Sequence, residues 1–314
     1  MRLFAFLLLL PALSFAQVPH TFQNGDVADA EKINENFDAL NQRILSLETL
    51  PTRDDAGMLY MDIDCSSDSG ALADMIQATA HLDPVKFNIS GDCLFEAGFI
   101  IYGRVIRIYG DPRPEVRPRL LLGEGQNFVV ESSAFDIWYT DIEVGNAFLL
   151  TQNVSATLFG VNFSGPAAPT IKVRANSNLR LINALQAGPR PSIKVTAGTL
   201  WIASNVATTK LNRVSASIGS KVWCWYCNVD IPSLILDINS SLCASDAYDE
   251  LPDDGNSNPV HLNLGELTVR TGSVFVHEGA PSAQPTYVAN VLAGSIAEWN
   301  VGTSDESRER CAFR

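Results

Sequence analysis

Apolar and polar residues alternate in short stretches that recur about every 21 residues along most of the chain. The stretches are three residues long, are rich in β-branched and aromatic types, and begin at Val85, Val105, Phe128, Phe148, Ile171, Ile193, Val214 and Leu234. A repeated unit of this length cannot bury its own apolar face and is typical of a solenoid, in which each coil packs on the next. The pattern therefore predicts an all-β parallel β-helix over residues 61–314.

Alternation within each stretch predicts which side chains face the interior. In residues 171–173 and 193–195 the first and third residues are apolar and the middle one is lysine. A period of two places the apolar residues inside and the middle residue outside. Glycines lie between the stretches, as corners between sheets require. A leucine-rich horseshoe is disfavoured because its leucine spacing is absent and no helices follow the strands.

A different pattern precedes the repeat. Between Asp26 and Pro51, apolar residues are spaced by three and four positions, at Ala30, Ile33, Phe37, Leu40, Ile44 and Leu47. This spacing predicts an amphipathic helix with a heptad seam. Its stripe either sets the register of several subunits as a coiled coil or packs on the body of the same chain. We thus divide the chain into a stalk at 17–51, a linker at 52–60 and the β-helix.

Two segments resemble known families. Residues 22–37 resemble the N-terminal stalk of secreted bacterial β-rich proteins and of phage tail-fibre subunits, which implies a homotrimer. Between Cys65 and Cys93 lie an apolar-striped helix at 71–80 and a short strand at 85–89, and we expect one disulfide to close this loop. This arrangement resembles the opening of secreted proteins of the pectate-lyase-like superfamily. That resemblance implies a right-handed parallel β-helix with a short α-helical cap.

The first 16 residues and the overall composition bear on the compartment. A positive start, an apolar stretch and the small-residue site at Ala16 form the pattern of a secretory signal peptide. The six cysteines then favour disulfides, and Cys224, Cys227, Cys243 and Cys311 allow three pairings. A net charge of −13 argues against nucleic acid as a partner. No later apolar run reaches the roughly 20 residues of a membrane span.

The strongest candidate for a ligand site is a row of large outward residues. Trp201 and Trp223 occupy the outward slot of successive coils, Arg180 occupies it one coil earlier, and Trp225 follows Trp223. Flat aromatic rings beside a cation suit stacking on sugar rings that carry an acidic group. The alternative is that stacked aromatics only stabilise neighbouring strands.

A second cluster is acidic and suggests catalysis. Asp136, Asp141 and Glu143 lie near Trp138 and Tyr139, and paired carboxylates can serve as acid and base in glycoside hydrolysis. The simpler interpretation is that these are solvated surface acids.

Family signatures do not support an enzyme. Pectin hydrolases carry Asn-Thr-Asp, Asp-Asp, Gly-His-Gly and Arg-Ile-Lys on successive coils, and only Asp-Asp occurs here, outside the repeat. Lyases use a basic residue beside a calcium-binding acidic cluster. Lys172, Arg174 and Lys194 have suitable coil spacing, without an obvious acidic cluster nearby. We therefore assign no catalytic residue.

No metal or cofactor is expected either. The Cys-x-x-Cys motif at 224–227 lies on a predicted strand and not at a helix start, which favours a structural role. The acidic loop at 246–258 lacks EF-hand spacing and is interpreted as a solvated insertion. The sequence thus favours a secreted, non-catalytic protein that binds carbohydrate or a cell surface. The alternatives are a polysaccharide lyase or glycoside hydrolase acting on an acidic polymer, and a structural appendage or adhesin subunit.

Overall fold

The computed structural model describes residues 34–35, 37–38, 52–53, 57–80, 84–123, 125–164, 168–185, 188–245, 261–278, 288–292 and 294–301. The chain divides into two compact units, Met1–Thr52 and Arg53–Arg314. In the first unit Asn34, Glu35, Phe37 and Asp38 are helical and exposed. The predicted signal peptide and the rest of the predicted stalk lie outside the described residues.

The second unit consists almost entirely of short strands. In chain order with the preceding segment, they are β1 (Thr52–Arg53), β2 (Leu59–Asp64), β3 (Val85–Ser90), β4 (Asp92–Phe95), β5 (Phe99–Tyr102), β6 (Val105–Tyr109), β7 (Arg119–Leu122), β8 (Asn127–Glu131), β9 (Ala134–Trp138), β10 (Asp141–Glu143), β11 (Ala147–Thr151), β12 (Ser155–Phe159), β13 (Asn162–Ser164), β14 (Thr170–Arg174), β15 (Asn178–Ile182), β16 (Ser192–Thr196), β17 (Thr199–Lys210), β18 (Arg213–Ser217), β19 (Lys221–Leu236), β20 (Ser241–Ser245), β21 (His261–Val269), β22 (Val274–Glu278), β23 (Val288–Val291) and β24 (Ile296–Val301). One α-helix, α1 (Ala71–Ala78), and one 3₁₀ turn, Pro114–Val116, complete the described elements of this unit.

The strands form a parallel β-solenoid of about nine turns with three walls. The first wall contains β5, β8, β11, β14, β16, β18, the end of β19, the end of β21 and β23. The second contains β2, β3, β6, β9, β12, β15, the starts of β17 and β19, β20, β22 and β24. The third contains β4, β7, β10 and β13, and later coils continue it with the end of β17 and the middle of β19. The parallel β-helix predicted from the repeat is confirmed, and its right-handed winding stays a prediction.

Alternation places the apolar residues inside, as predicted, for the six stretches that begin between Phe128 and Leu234. Because neighbouring strands are in register, similar side chains of successive coils stack on one another. The rings of Phe128 and Phe148, for example, lie 5.2 Å apart and nearly parallel. Alternation also places Val85 and Phe87 inside, as predicted, but the prediction for the stretch that begins at Val105 was wrong. Val85 and Val105 lie on the second wall, not the first, and Val105 is half-exposed while Ile106 takes the inward slot. An apolar tripeptide carries no information about its wall, so regular spacing alone could not separate them.

Among the described residues, tight turns join strands of the first wall to the strands of the second wall that follow them, and these turns stack on one another. Their residues adopt the left-handed conformation, for example Asn153, Asn176 and Ala197. The Asn176 amide donates to the carbonyl of Ala197 one coil onward at 2.6 Å. A buried residue follows most of these turns, and it is most often serine. The hydroxyl of Ser177, for instance, accepts the amide of Val154 at 3.1 Å, so the turns hold successive coils in register.

A helical cap covers the start of the solenoid. Helix α1 buries Leu72 and Ile76, which confirms the predicted cap with an end two residues earlier than expected. The disulfide between Cys65 and Cys93 is confirmed, with Cα atoms 5.1 Å apart, and it ties the end of β2 to β4. No helix among the described residues has the length and apolar character to cross a membrane.

Two further cysteines with described side chains are oxidised. Cys224 and Cys243 are both disulfide-bonded. Cys224 takes an inward position, whereas Cys243 is in register with the outward Trp223. Side chains on opposite faces of a sheet cannot meet the geometry of a disulfide. One of the three pairings allowed by the sequence, Cys224 with Cys243, is therefore excluded.

Candidate functional site

The outer face of the second wall carries two columns of side chains with one residue per coil. The first column consists, in order, of Lys86, Arg107, Asp136, Thr157, Arg180, Trp201 and Trp223. The second, two residues farther along each strand, consists of Asn88, Tyr109, Trp138, Phe159, Ile182 and Ala203. Neighbouring members are about 4.8 Å apart along the solenoid because that is the strand spacing of a sheet.

Three members of the first column form the predicted aromatic ladder. The guanidinium carbon of Arg180 lies 5.6 Å from the ring centroid of Trp201. The rings of Trp201 and Trp223 have centroids 6.1 Å apart and are tilted by 41°. Both tryptophans are half-buried and Arg180 is exposed. The side chain of Trp225 lies outside the described part of the chain, so its predicted role is not tested.

The second column contains an aromatic stack of a different kind. Trp138 lies between Tyr109 and Phe159, with centroid distances of 5.3 and 4.7 Å and tilts of only 21° and 22°. Tyr139 contacts Phe159 edge to face at 5.3 Å. Rings stacked so closely cover one another's faces and leave mainly their edges to solvent. We interpret this stack as a structural cover of the sheet.

The contacts of Trp138 with Tyr109 and Phe159 were not predicted from the sequence. A signal was available, since each of the three follows an outward residue of the first column by two positions.

The predicted acidic cluster is divided between two walls. Asp136 faces outward from the second wall, where its carboxylate pairs with Arg107 at 3.2 Å. Asp141 and Glu143 face outward from the third wall. A corner at Tyr139, whose φ is 52°, turns the chain between them. The three acids therefore do not face a common site, because the corner redirects the outward side of the strand.

The carboxyl group of Asp141 is partly buried on the third wall. It lies in register with Arg119 and Asn162 on the third wall. Burial raises its pKa above 3.8, while the hydrogen bond from Asn162 and the charges of Arg117 and Arg119 act in the opposite direction. Its Oδ1 atom is buried without a hydrogen-bond partner. Arg119 itself pairs with Asp92, and this hydrogen bond holds the pKa of Asp92 below its usual value.

The three basic residues considered for a lyase lie on the first wall. Lys172 and Arg174 belong to β14, and Lys194 is in register with Lys172 on β16. Within the described part of the chain, no group of three or more histidine, cysteine or acidic side chains is arranged to hold a metal ion. These cations and the Arg180 ladder occupy neighbouring walls of the same coils.

An open groove of about 450 Å³ lies near the N-terminal end of the described solenoid, between the end of α1 and β5. Ile100 and Tyr102 line it and are 66% and 67% exposed. Arg104 also borders it, but its guanidinium group is bound to the carbonyl groups of Ile76 and Thr79. The groove thus offers apolar surface without converging polar groups.

Comparison with protein families, with characterised proteins and with solved structures finds no match to this chain.

Proposed function

We propose that this protein is a secreted, non-catalytic module that binds carbohydrate through Arg180, Trp201 and Trp223. The observation that carries the proposal is the large angle between the planes of the two indole rings. The 41° tilt between the two indoles leaves ring face accessible, whereas the 21° and 22° tilts around Trp138 close that stack. An accessible indole face is the surface on which the apolar side of a sugar ring stacks.

Arg180 supports a ligand that carries acidic groups. Its side chain is exposed, and its guanidinium group is placed over Trp201 in the next coil. A guanidinium group held by an aromatic face keeps its N–H donors directed outward, where they can bind a carboxylate or sulfate group. A sugar stacked on the tryptophans then brings its acidic substituent to Arg180.

The wider proposal follows the sequence resemblance. We regard the chain as a right-handed β-helix protein similar to the pectate-lyase-like superfamily, exported by its N-terminal signal and trimerised by a fibre-like stalk. The parallel solenoid, the Cys65–Cys93 disulfide and the cap helix support this placement.

Polysaccharide pull-down with the full chain tests the carbohydrate proposal. Trp201→Ala and Trp223→Ala should each reduce retention on the bound polysaccharides at least fivefold, because each removes one stacking surface. Tyr102→Ala is the control, since it removes an aromatic ring from the first wall that is more exposed than either tryptophan. Equal retention of all three variants and the unchanged protein would refute the ladder as a binding surface.

A polysaccharide lyase or hydrolase is the second candidate, and Asp141 is the observation that favours it. A carboxyl group whose pKa is raised by burial is suited to donate a proton. Glu143 lies two residues along the same strand and face, about 7 Å away by strand geometry. Turnover of uronate polymers, measured as new reducing ends or unsaturated products and lost in Asp141→Asn, would establish the enzyme. Absence of turnover by the unchanged protein would exclude it on those substrates.

A further inference from the structure

The outer face of the first wall differs from the rest of this acidic protein over three consecutive coils. Strands β14, β16 and β18 place nine residues on it, and all nine are cationic or hydroxyl-bearing: Thr170, Lys172, Arg174, Ser192, Lys194, Thr196, Arg213, Ser215 and Ser217. We call these nine residues the cationic face. It contains no carboxylate and no apolar side chain, although the chain as a whole has a net charge of −13.

The four cations form a diagonal band. Lys172 and Lys194 are directly in register, Arg174 lies two residues along β14, and Arg213 is in register with Ser192 on the other side. Strand geometry gives a band about 16 Å long from Arg174 to Arg213, with about 4.8 Å between the two lysine strands. Arg174, Lys194 and Arg213 are exposed and Lys172 is half-exposed.

None of these four cations forms an ion pair within the described part of the chain. Like charges directly opposite each other on neighbouring strands destabilise a sheet. The pair Lys172 and Lys194 is therefore a cost to folding that no ion pair among the described residues offsets. The nearest acid in line with the band is Glu266, which lies two strands from Arg213 because both are in register with Ser233.

We infer that the cationic face is a second binding site and that its ligand is a sulfated polysaccharide. A sulfate ester is anionic at every physiological pH and has three terminal oxygens that accept bonds from separate directions. Lysine ammonium groups and hydroxyl groups spread over neighbouring coils match that acceptor, whereas a planar carboxylate is best bound by a single arginine fork. The face has no aromatic ring on which a nucleobase stacks, which argues against single-stranded nucleic acid.

This site lies on a different wall from Arg180, Trp201 and Trp223 and does not depend on the function proposed for them. Both surfaces occupy the same three coils, with only the tight turns between them. Their contributions are separated by variants that alter one wall at a time.

Calorimetric titration of the full chain with dextran sulfate, at low salt, tests the inference. Dextran of the same length is the uncharged reference. The double variant Lys172→Gln with Lys194→Gln should weaken dextran sulfate binding at least tenfold. The matched control, Lys210→Gln with Lys221→Gln, makes the same charge change off the cationic face and should change affinity less than twofold. Lys172→Arg with Lys194→Arg should retain binding within about threefold, because the charges remain.

Several results would overturn the inference. They are absent binding, equal binding of dextran and dextran sulfate, and equal weakening by the two glutamine double variants. Polygalacturonate or oligothymidylate bound as tightly as dextran sulfate would also overturn the choice of sulfate. Trp201→Ala with Trp223→Ala should leave dextran sulfate affinity unchanged, so failure of the tryptophan ladder and failure of the cationic face give different results. Circular dichroism of each variant verifies that the solenoid is folded.

Discussion

The guanidinium group of Arg104 donates a hydrogen bond from Nη2 to the carbonyl of Thr79 at 2.7 Å. Its Nη1 donates to the carbonyl of Ile76 at 2.6 Å. Arg104 follows β5 in the first full coil and is only 8% exposed. Its charge thus satisfies the last carbonyl groups of α1 and opposes the negative end of the helix dipole. This residue joins the cap to the solenoid.

Arg104→Met should destabilise the protein by about 2–4 kcal/mol, because buried carbonyl groups lose charged donors. The loss of stability should first affect the cap helix α1. Urea unfolding measures the free energy, and amide exchange in residues 72–79 should accelerate before that of the central coils. Arg113→Met, which removes an exposed arginine paired with Asp111, should leave amide exchange in α1 unchanged. Unchanged exchange in α1 would show that Arg104 does not hold the cap.

Ser177→Ala should cost about 1–2 kcal/mol of unfolding free energy, because the amide of Val154 loses a buried acceptor. Thermal or urea melts measure this loss. Ser215→Ala removes a hydroxyl from the outer face of the neighbouring wall and should stay within about 0.5 kcal/mol of the unchanged protein. Equal effects of the two substitutions would mean that the turn serines do not stabilise the stacked turns.

Asp141→Asn should increase stability at pH 7. Burial raises the folded-state pKa of Asp141 above the value of 3.8, so the folded chain holds this proton more tightly than the unfolded chain. Stability of the unchanged protein therefore falls as the pH rises from 3.8 through the folded pKa. The gain from asparagine should shrink on acidification and vanish below pH 3.8. Urea midpoints measured across this pH range provide the test.

Asp111→Asn is the opposite case and serves as the control. Hydrogen bonds from Arg113 lower the pKa of Asp111 to about 2, so its carboxylate stabilises the folded chain above pH 3.8. Asparagine should remove that contribution at pH 7 and have no effect below about pH 2. An Asp141→Asn gain that grows on acidification would contradict the assigned direction.

Leu40→Gln together with Ile44→Gln should convert the predicted trimer to monomers. Both residues belong to the apolar stripe of residues 30–47, and polar side chains weaken such a seam. The solenoid should stay folded because it has its own core. Light scattering measures the mass, and circular dichroism measures the β-structure. A monomeric unchanged protein would end the trimer prediction and assign the stripe to packing within one chain.

Most of the solenoid could be predicted from the sequence because alternation and repeat length are local patterns. Alternation with a period of two placed Ile171 and Val173 inside and Lys172 outside, and the repeat length placed Arg180, Trp201 and Trp223 in one column. Both conclusions need only the strand geometry and a constant coil length. Cys65 and Cys93 were paired because they flank one compact unit of helix and strand.

The sequence by itself thus determined the parallel solenoid, its inward and outward residues and the order of the ladder. Only the tertiary structure decided which wall each stretch occupies, since Val85 and Val105 look like the stretches of the first wall. It also separated Asp136 from Asp141, because a single left-handed residue at Tyr139 redirects the outward side of the chain. The register of three successive strands also places Arg213 beside Lys172 and Lys194 on one face. Such relationships depend on corners and register between residues 20 or more positions apart, which no local pattern encodes.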